Sequence, residues 1–150
     1  MFRRFERKGE MLQKIRKLKF KAVLFGFLVD TIGTLGVALV LLFAMAARGL
    51  SENEVTARMH GPSGLLLMLI LGLGFTVGGG YVAGRTARQE EILHGASVAG
   101  LGIVLGLFLR DPGVPLWYEA VSFAAMIPAG MAGGYLAREG GVRRNAAGRP

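Results

Sequence analysis

Four apolar stretches constrain this chain more than any other feature: residues 22–47, 64–84, 92–109 and 114–137, each 18–26 residues long. About 20 apolar residues suffice to cross roughly 30 Å of hydrocarbon. In lipid each span must satisfy its own backbone, so spans of this length read as helices. The expected fold is all-α, an integral membrane bundle of four transmembrane helices. Composition agrees. Charged residues make up 19% of the chain and 24 of its 150 residues are Gly. A soluble domain carries about 25% charge and about 7% Gly. Glycine-rich, charge-poor chains suit close helix packing in a bilayer. The absence of Cys excludes a disulfide scaffold and any thiol chemistry.

The net charge of +8 is concentrated at one end. Residues 1–21 hold nine basic residues against Glu6 and Glu10, and the rest of the chain is nearly balanced. This run directly precedes an apolar span and lacks interleaved aromatics, which argues for the membrane surface and against nucleic acid. Phe5, Leu12, Ile15 and Leu18 share one face of a basic amphipathic helix that would lie on anionic lipid. The alternative is a charge run that only sets orientation. Met11 is a second possible start. Ala44-Met45-Ala46 resembles a signal cleavage site, but the apolar segment is longer than the usual core of about 7–15 residues.

Basic residues also set orientation. With the N-terminus in the cytoplasm, 15 basic residues fall inside and only Arg48, Arg58 and Arg110 outside. Both termini are therefore expected in the cytoplasm, with residues 138–150 a basic, disordered tail. Ser51 and Glu54 form a capping-box pair and Gly61-Pro62 a stop, predicting a short outer surface helix over Glu52–His60. Trp117 and Tyr118 sit at the outer interface, with Glu119 able to reach water or Arg110. Tyr81 and Tyr135 sit at the inner interface.

Spans two and four end alike: Gly79-Gly80-Tyr81-Val82-Ala83 matches Gly133-Gly134-Tyr135-Leu136-Ala137, with Arg85 and Arg138 following. Two tandem helical hairpins, related by a pseudo-twofold along the membrane normal, would explain this weak repeat. Gly-x-x-x-Gly pairs at Gly74/Gly78, Gly80/Gly84, Gly102/Gly106 and Gly130/Gly134 let helix backbones approach. They serve an intramolecular bundle, a homo-oligomer or a membrane partner equally. The Gly-x-Gly runs lack the strand context of a dinucleotide site.

Enzyme chemistry finds little support. Gly61-Pro62-Ser63-Gly64 resembles a protease Gly-x-Ser-Gly, but no base is placed to activate Ser63, which reads better as a helix N-cap. His60 and His94 fall on opposite faces, so no metal cluster forms. No cofactor motif is present.

Asp30 is the most informative residue. It lies about 13–14 Å past Lys21 at 1.5 Å per residue, near the bilayer midplane. A central Asp costs roughly 2.5–3.5 kcal/mol to insert. The fourteen Leu, Ile, Val and Phe of span one outweigh it. Counting the same depth from Arg85 places Thr76 beside it, with Thr31 and Thr34 on its own helix and Pro128 breaking span four nearby. Two readings follow: packing glue, or a proton or cation relay.

The run Gly78-Gly79-Gly80-Tyr81-Val82-Ala83-Gly84-Arg85, then Ile92-Leu93-His94-Gly95, resembles a signature of uncharacterised small bacterial four-span inner-membrane proteins, Gly-Gly-Tyr/Phe-x-Ala-Gly-Arg followed by His-Gly. The resemblance implies a helical bundle in the bacterial cytoplasmic membrane and carries no activity with it. Span four departs from the pattern, since Arg138 follows Ala137 directly and no His-Gly comes after. In physical terms Gly79 and Gly80 permit close contact, Arg85 snorkels, and His94 pairs with Glu90 or Glu91 or caps its helix. The leading expectation is a non-enzymatic protein that packs against itself, lipid or a partner. The rivals are a small proton- or cation-linked transporter using Asp30, and a holin-like permeabilising protein.

Overall fold

The computed structural model describes residues 18–147, with side chains as far as Gly141. The amphipathic helix expected at residues 1–20 therefore lies almost wholly outside the described residues. Five helices follow in order: α1 (Phe20–Ala46), α2 (Glu52–His60), α3 (Pro62–Ala87), α4 (Glu91–Phe108) and α5 (Leu116–Ala147). The protein is all-helical, and four of these, all but α2, are long and apolar enough to cross a membrane.

The side-chain distribution fits helices of this kind. Phe25, Leu28, Val29, Ile32, Leu39, Val40 and Phe43 of α1 are all exposed. Soluble monomers rarely show large contiguous apolar faces to water. The small buried core is instead Ala, Val and Gly, as expected where close packing rather than water exclusion draws helices together.

Helix α3 packs on α1, α4 and α5; α4 also contacts both α1 and α5, while α1 and α5 do not touch. The short helix α2 contacts α1 and α3. Its boundaries are those its caps predict: the Ser51 backbone N–H and hydroxyl both donate to the Glu54 carboxylate at 2.8 Å. Gly61 ends α2 and at once serves as N-cap to α3, with Pro62 in the first turn, where its missing N–H costs nothing. Ser63 is consequently inside the helix, and the N-cap expected there belongs to Gly61.

Helix α5 differs from the sequence expectation in two ways. Pro128 lies inside it without breaking it. The helix also continues to Ala147, where the apolar pattern ends at Ala137 and predicts a disordered tail. Arg138, Glu139 and Ala147 are sound helix formers, and loss of hydropathy ends a span without ending a helix. Tyr135 O–H donates to Glu139 at 2.7 Å, one turn on, across that boundary.

The two ends of the bundle are built differently. At the end carrying His94, backbones meet at glycine. A Cβ on Gly26 would strike the Gly79 carbonyl, and one on Gly95 would strike that of Gly130. Added methyls on Gly80 and Gly133 would likewise meet the backbones of Gly130 and Val77. Ala83, Ala87, Val98 and Ala99 are fully buried among them. At the end carrying Trp117 the helices stand apart. There Gly102 and Gly106 meet the side chains of Met126 and Phe123 rather than backbone.

Candidate functional site

A cavity of about 360 Å³ opens where the helices separate. Asp30, Thr31, Thr34 and Thr76, the four polar residues expected near the midplane, all line it. They come from α1 and α3. Met126, Phe123, Ser122 and Tyr118 of α5 face them across the space, and Leu109 and Tyr118 lie toward its Trp117 end. Nearly all the remaining wall is apolar. Asp30 is 6% exposed and Thr76 is 2% exposed.

The Thr76 hydroxyl lies 3.2 Å from Asp30 Oδ1 and 3.1 Å from the Gly72 carbonyl. A hydroxyl has one proton to give. With a carboxylate, Thr76 donates to Asp30 and leaves Gly72. With a carboxylic acid, Asp30 can donate to Thr76, which then donates to Gly72. The pair thus has two complete hydrogen-bond arrangements, differing by one proton. Oδ2 is turned toward Gly102, where an added Cβ would sit 3.6 Å away. Two contributors escape the sequence. Ser122 Oγ is buried without a hydrogen-bond partner among the described residues, although Tyr118 lies close by. Ser122 belongs to no motif that flags it, and Gly102 stands out in the sequence only as half of the Gly102/Gly106 packing pair.

The inner-interface signature has a different geometry. Gly79, Gly80, Ala83, Gly84 and Ala87 are the buried stripe of α3. Gly95 of α4, and Gly133, Gly134 and Ala137 of α5, are buried against it or beside it. His94 has no exposed surface. Its Nδ1 donates to the Glu90 carbonyl at 2.9 Å, and its Nε2 accepts the Lys19 backbone N–H at 3.0 Å. Lys19 Nζ then donates to the Ala87 carbonyl at 3.0 Å, at the C-terminal end of α3. The ring therefore binds backbone at both nitrogens, rather than the side chain of Glu90 or Glu91. Arg88 and Glu90 both adopt left-handed backbone, which lets three residues join α3 to α4. Arg85 stands 5.9 Å from the Tyr81 ring, within cation–π range. Tyr135 and Arg138 are exposed.

At the other end, Arg110 pairs with Glu119 at 2.8 Å, and Trp117 meets Tyr118 edge-on with ring centroids 6.0 Å apart. His60 of α2 pairs with Asp111 at 3.3 Å, tying the surface helix to the turn between α4 and α5. His60 and His94 lie far apart in role as well as place. Among the described residues no group of three His, Cys, Asp or Glu could hold a metal ion.

Comparison with known proteins adds no second line of evidence: no family model matches the chain, and neither a curated protein nor a solved structure matches it.

Proposed function

We propose that this chain is a four-span integral membrane protein that binds and moves a small solute or ion, proton- or cation-linked, with Asp30 at its centre. The carrying observation is the cavity beside the Asp30–Thr76 pair. An acid kept only as packing glue would be enclosed by its partners. Here it faces open volume, and its hydrogen bonds can be completed with or without a proton. An intramembrane acid facing a bundle cavity is the usual form of a relay or substrate site. No catalytic chemistry or cofactor is required.

The distribution of basic residues supports both termini inside and the Trp117 end outside, and the resemblance carried by residues 78–95 points to a bacterial cytoplasmic membrane. Anionic lipid would then meet residues 1–21. The tandem-hairpin reading is supported by similar glycine contacts within each pair: Gly26 of α1 meets α3 at Gly79, and Gly95 of α4 meets α5 at Gly130, about one turn from Gly133, the counterpart of Gly79.

A second reading, assembly with another copy or a membrane partner, is favoured by a separate observation. Gly74 and Gly78 of α3 have nothing within 4 Å of an added Cβ. Their face remains available for close approach by another helix.

Flux measurements in liposomes test the first reading. Wild-type protein should carry protons or monovalent cations, and Asp30→Asn should abolish this. No flux from a folded, inserted wild type would leave assembly as the better account.

A further inference from the structure

Asp30 has no basic residue opposite it. The cavity wall contains one acid and no Lys, Arg or His. None of the ion pairs among the described residues involves Asp30. A carboxylate placed so deep, without a counter-charge, is costly unless something brings one. The surroundings restrict what that can be. A bare inorganic cation needs several oxygen ligands arranged around it. Here the polar side chains Asp30, Thr31, Thr34 and Thr76 all come from α1 and α3, while α4 lines the cavity with glycine and leucine alone, so oxygens do not surround the space. A polyhydroxylated solute would bring many hydroxyls to a wall that answers few. A lipid acyl chain would fill the apolar part and leave the carboxylate unmatched.

We propose that the cavity binds a small lipophilic organic cation, its charged head on Asp30 and its apolar body along the walls toward the Trp117 end. This rests on the reading of Asp30 as a binding site and names the ligand class for it. The volume, about 360 Å³, lies at the lower end of the usual range for small-molecule sites, about 300–1,000 Å³. Tyr118 and Phe123 supply aromatic rings, which attract cations through their faces. Met68 and Met126 supply deformable walls that adapt to differing ligand shapes. Ser122 Oγ, buried beside Tyr118, offers a hydroxyl next to the apolar body.

Benzyltrimethylammonium and neopentylbenzene, its uncharged carbon isostere, provide the test. Binding is measured by calorimetry to the full chain in zwitterionic phosphatidylcholine nanodiscs, which removes attraction to lipid charge. The wild type should bind the ammonium at least tenfold more tightly than the isostere. Asp30→Asn should lose at least tenfold in affinity for the ammonium. Because Asp30→Asn could disturb folding, Gly72→Leu serves as a second variant. Gly72 lines the cavity, and a Cβ there meets nothing within 4 Å, so a larger side chain can be introduced at this position without backbone collision. It should abolish binding in a protein that still folds. Equal binding of both compounds, unchanged by Asp30→Asn, would overturn the proposal in favour of an apolar site. No binding to folded wild type would also overturn it. Asp30-dependent proton flux without ammonium binding would overturn this ligand class while leaving the Asp30 site standing. Ammonium binding without any flux would support the ligand class and remove transport.

Discussion

His94 joins the start of α1 to the start of α4 through one imidazole, accepting the Lys19 backbone N–H at 3.0 Å while donating to the Glu90 carbonyl at 2.9 Å. Replacing it removes the link between the two helix starts and leaves a gap where a fully buried ring stood, although the Glu90 carbonyl keeps the His94 backbone N–H. Emptying a buried side-chain site of this size costs about 2–5 kcal/mol. His94→Ala should lower the thermal midpoint in detergent clearly, while leaving proton flux per folded molecule intact. Loss of flux at unchanged stability would mean that the ring participates in transport.

The glycines divide into two groups with opposite predicted responses. Gly95→Ala places a methyl against the Gly130 carbonyl and should destabilise the bundle by about 1–3 kcal/mol. Gly74→Ala meets open space and should be neutral or gain about 0.5–1 kcal/mol from helix propensity. Unfolding by denaturant in mixed micelles measures both. If Gly74→Ala instead disrupts a dimer while the protomer stays folded, the assembly reading gains.

The cap of α2 predicts a pH response. Hydrogen bonds from the Ser51 backbone N–H and hydroxyl hold the Glu54 carboxyl below its usual value of 4.5. A carboxylate with a lowered pKa in the folded helix contributes its stability above the unfolded pKa and loses it as pH falls through the folded one. The first turn of α2 should therefore stay intact at neutral pH and fray only below the ordinary glutamate range. Backbone carbon shifts of Glu52–Val55, followed by NMR from pH 6 downward, report this. Fraying that begins above that range, or Glu54→Gln leaving the profile unchanged, would contradict the cap.

What could be read from the sequence follows from where the information is local. Helices α1, α3 and α4 begin and end within a few residues of the hydropathy boundaries, because hydropathy is set residue by residue, whereas α5 runs on past Ala137. Helix α2 was legible in full, because Ser51, Glu54 and Gly61 encode its caps in side-chain chemistry. Thr76 is legible as the partner of Asp30 by depth alone, since α1 begins and α3 ends near one interface and both rise equally per residue. The His94–Lys19 bond was not legible. Its acceptor meets a backbone N–H, which every residue except proline carries, at a separation of 75 positions. Nor could the pattern tell Gly74/Gly78 from Gly80/Gly84. Both share one spacing, and only the bundle shows that one pair faces outward while the other meets helix neighbours. The cavity itself arises from helix separation, which no single segment encodes.

Thr76→Val separates the two arrangements of the proton pair. Valine keeps the shape but removes the hydroxyl that links Asp30 to the Gly72 carbonyl. Flux should fall at least tenfold, with the pH dependence of the remaining flux displaced from that of wild type. Unchanged rate and pH profile would mean that Thr76 only fills space.

We propose that Asp30 is reached from the Trp117 end, toward which the cavity lining extends to Leu109 and Tyr118, and not from the His94 end, where helix backbones meet at glycine. The chain contains no Cys, so single-Cys variants report without background. Thr34→Cys and Ser122→Cys line the cavity, and Val98→Cys lies fully buried at the His94 end. In oriented vesicles, a small cationic, membrane-impermeant thiol reagent is applied to each side in turn. The account predicts reaction at positions 34 and 122 from the Trp117 side only, and at position 98 from neither. Reaction at position 34 from the His94 side, or protection at 34 and 122 equal to that at 98, would contradict it.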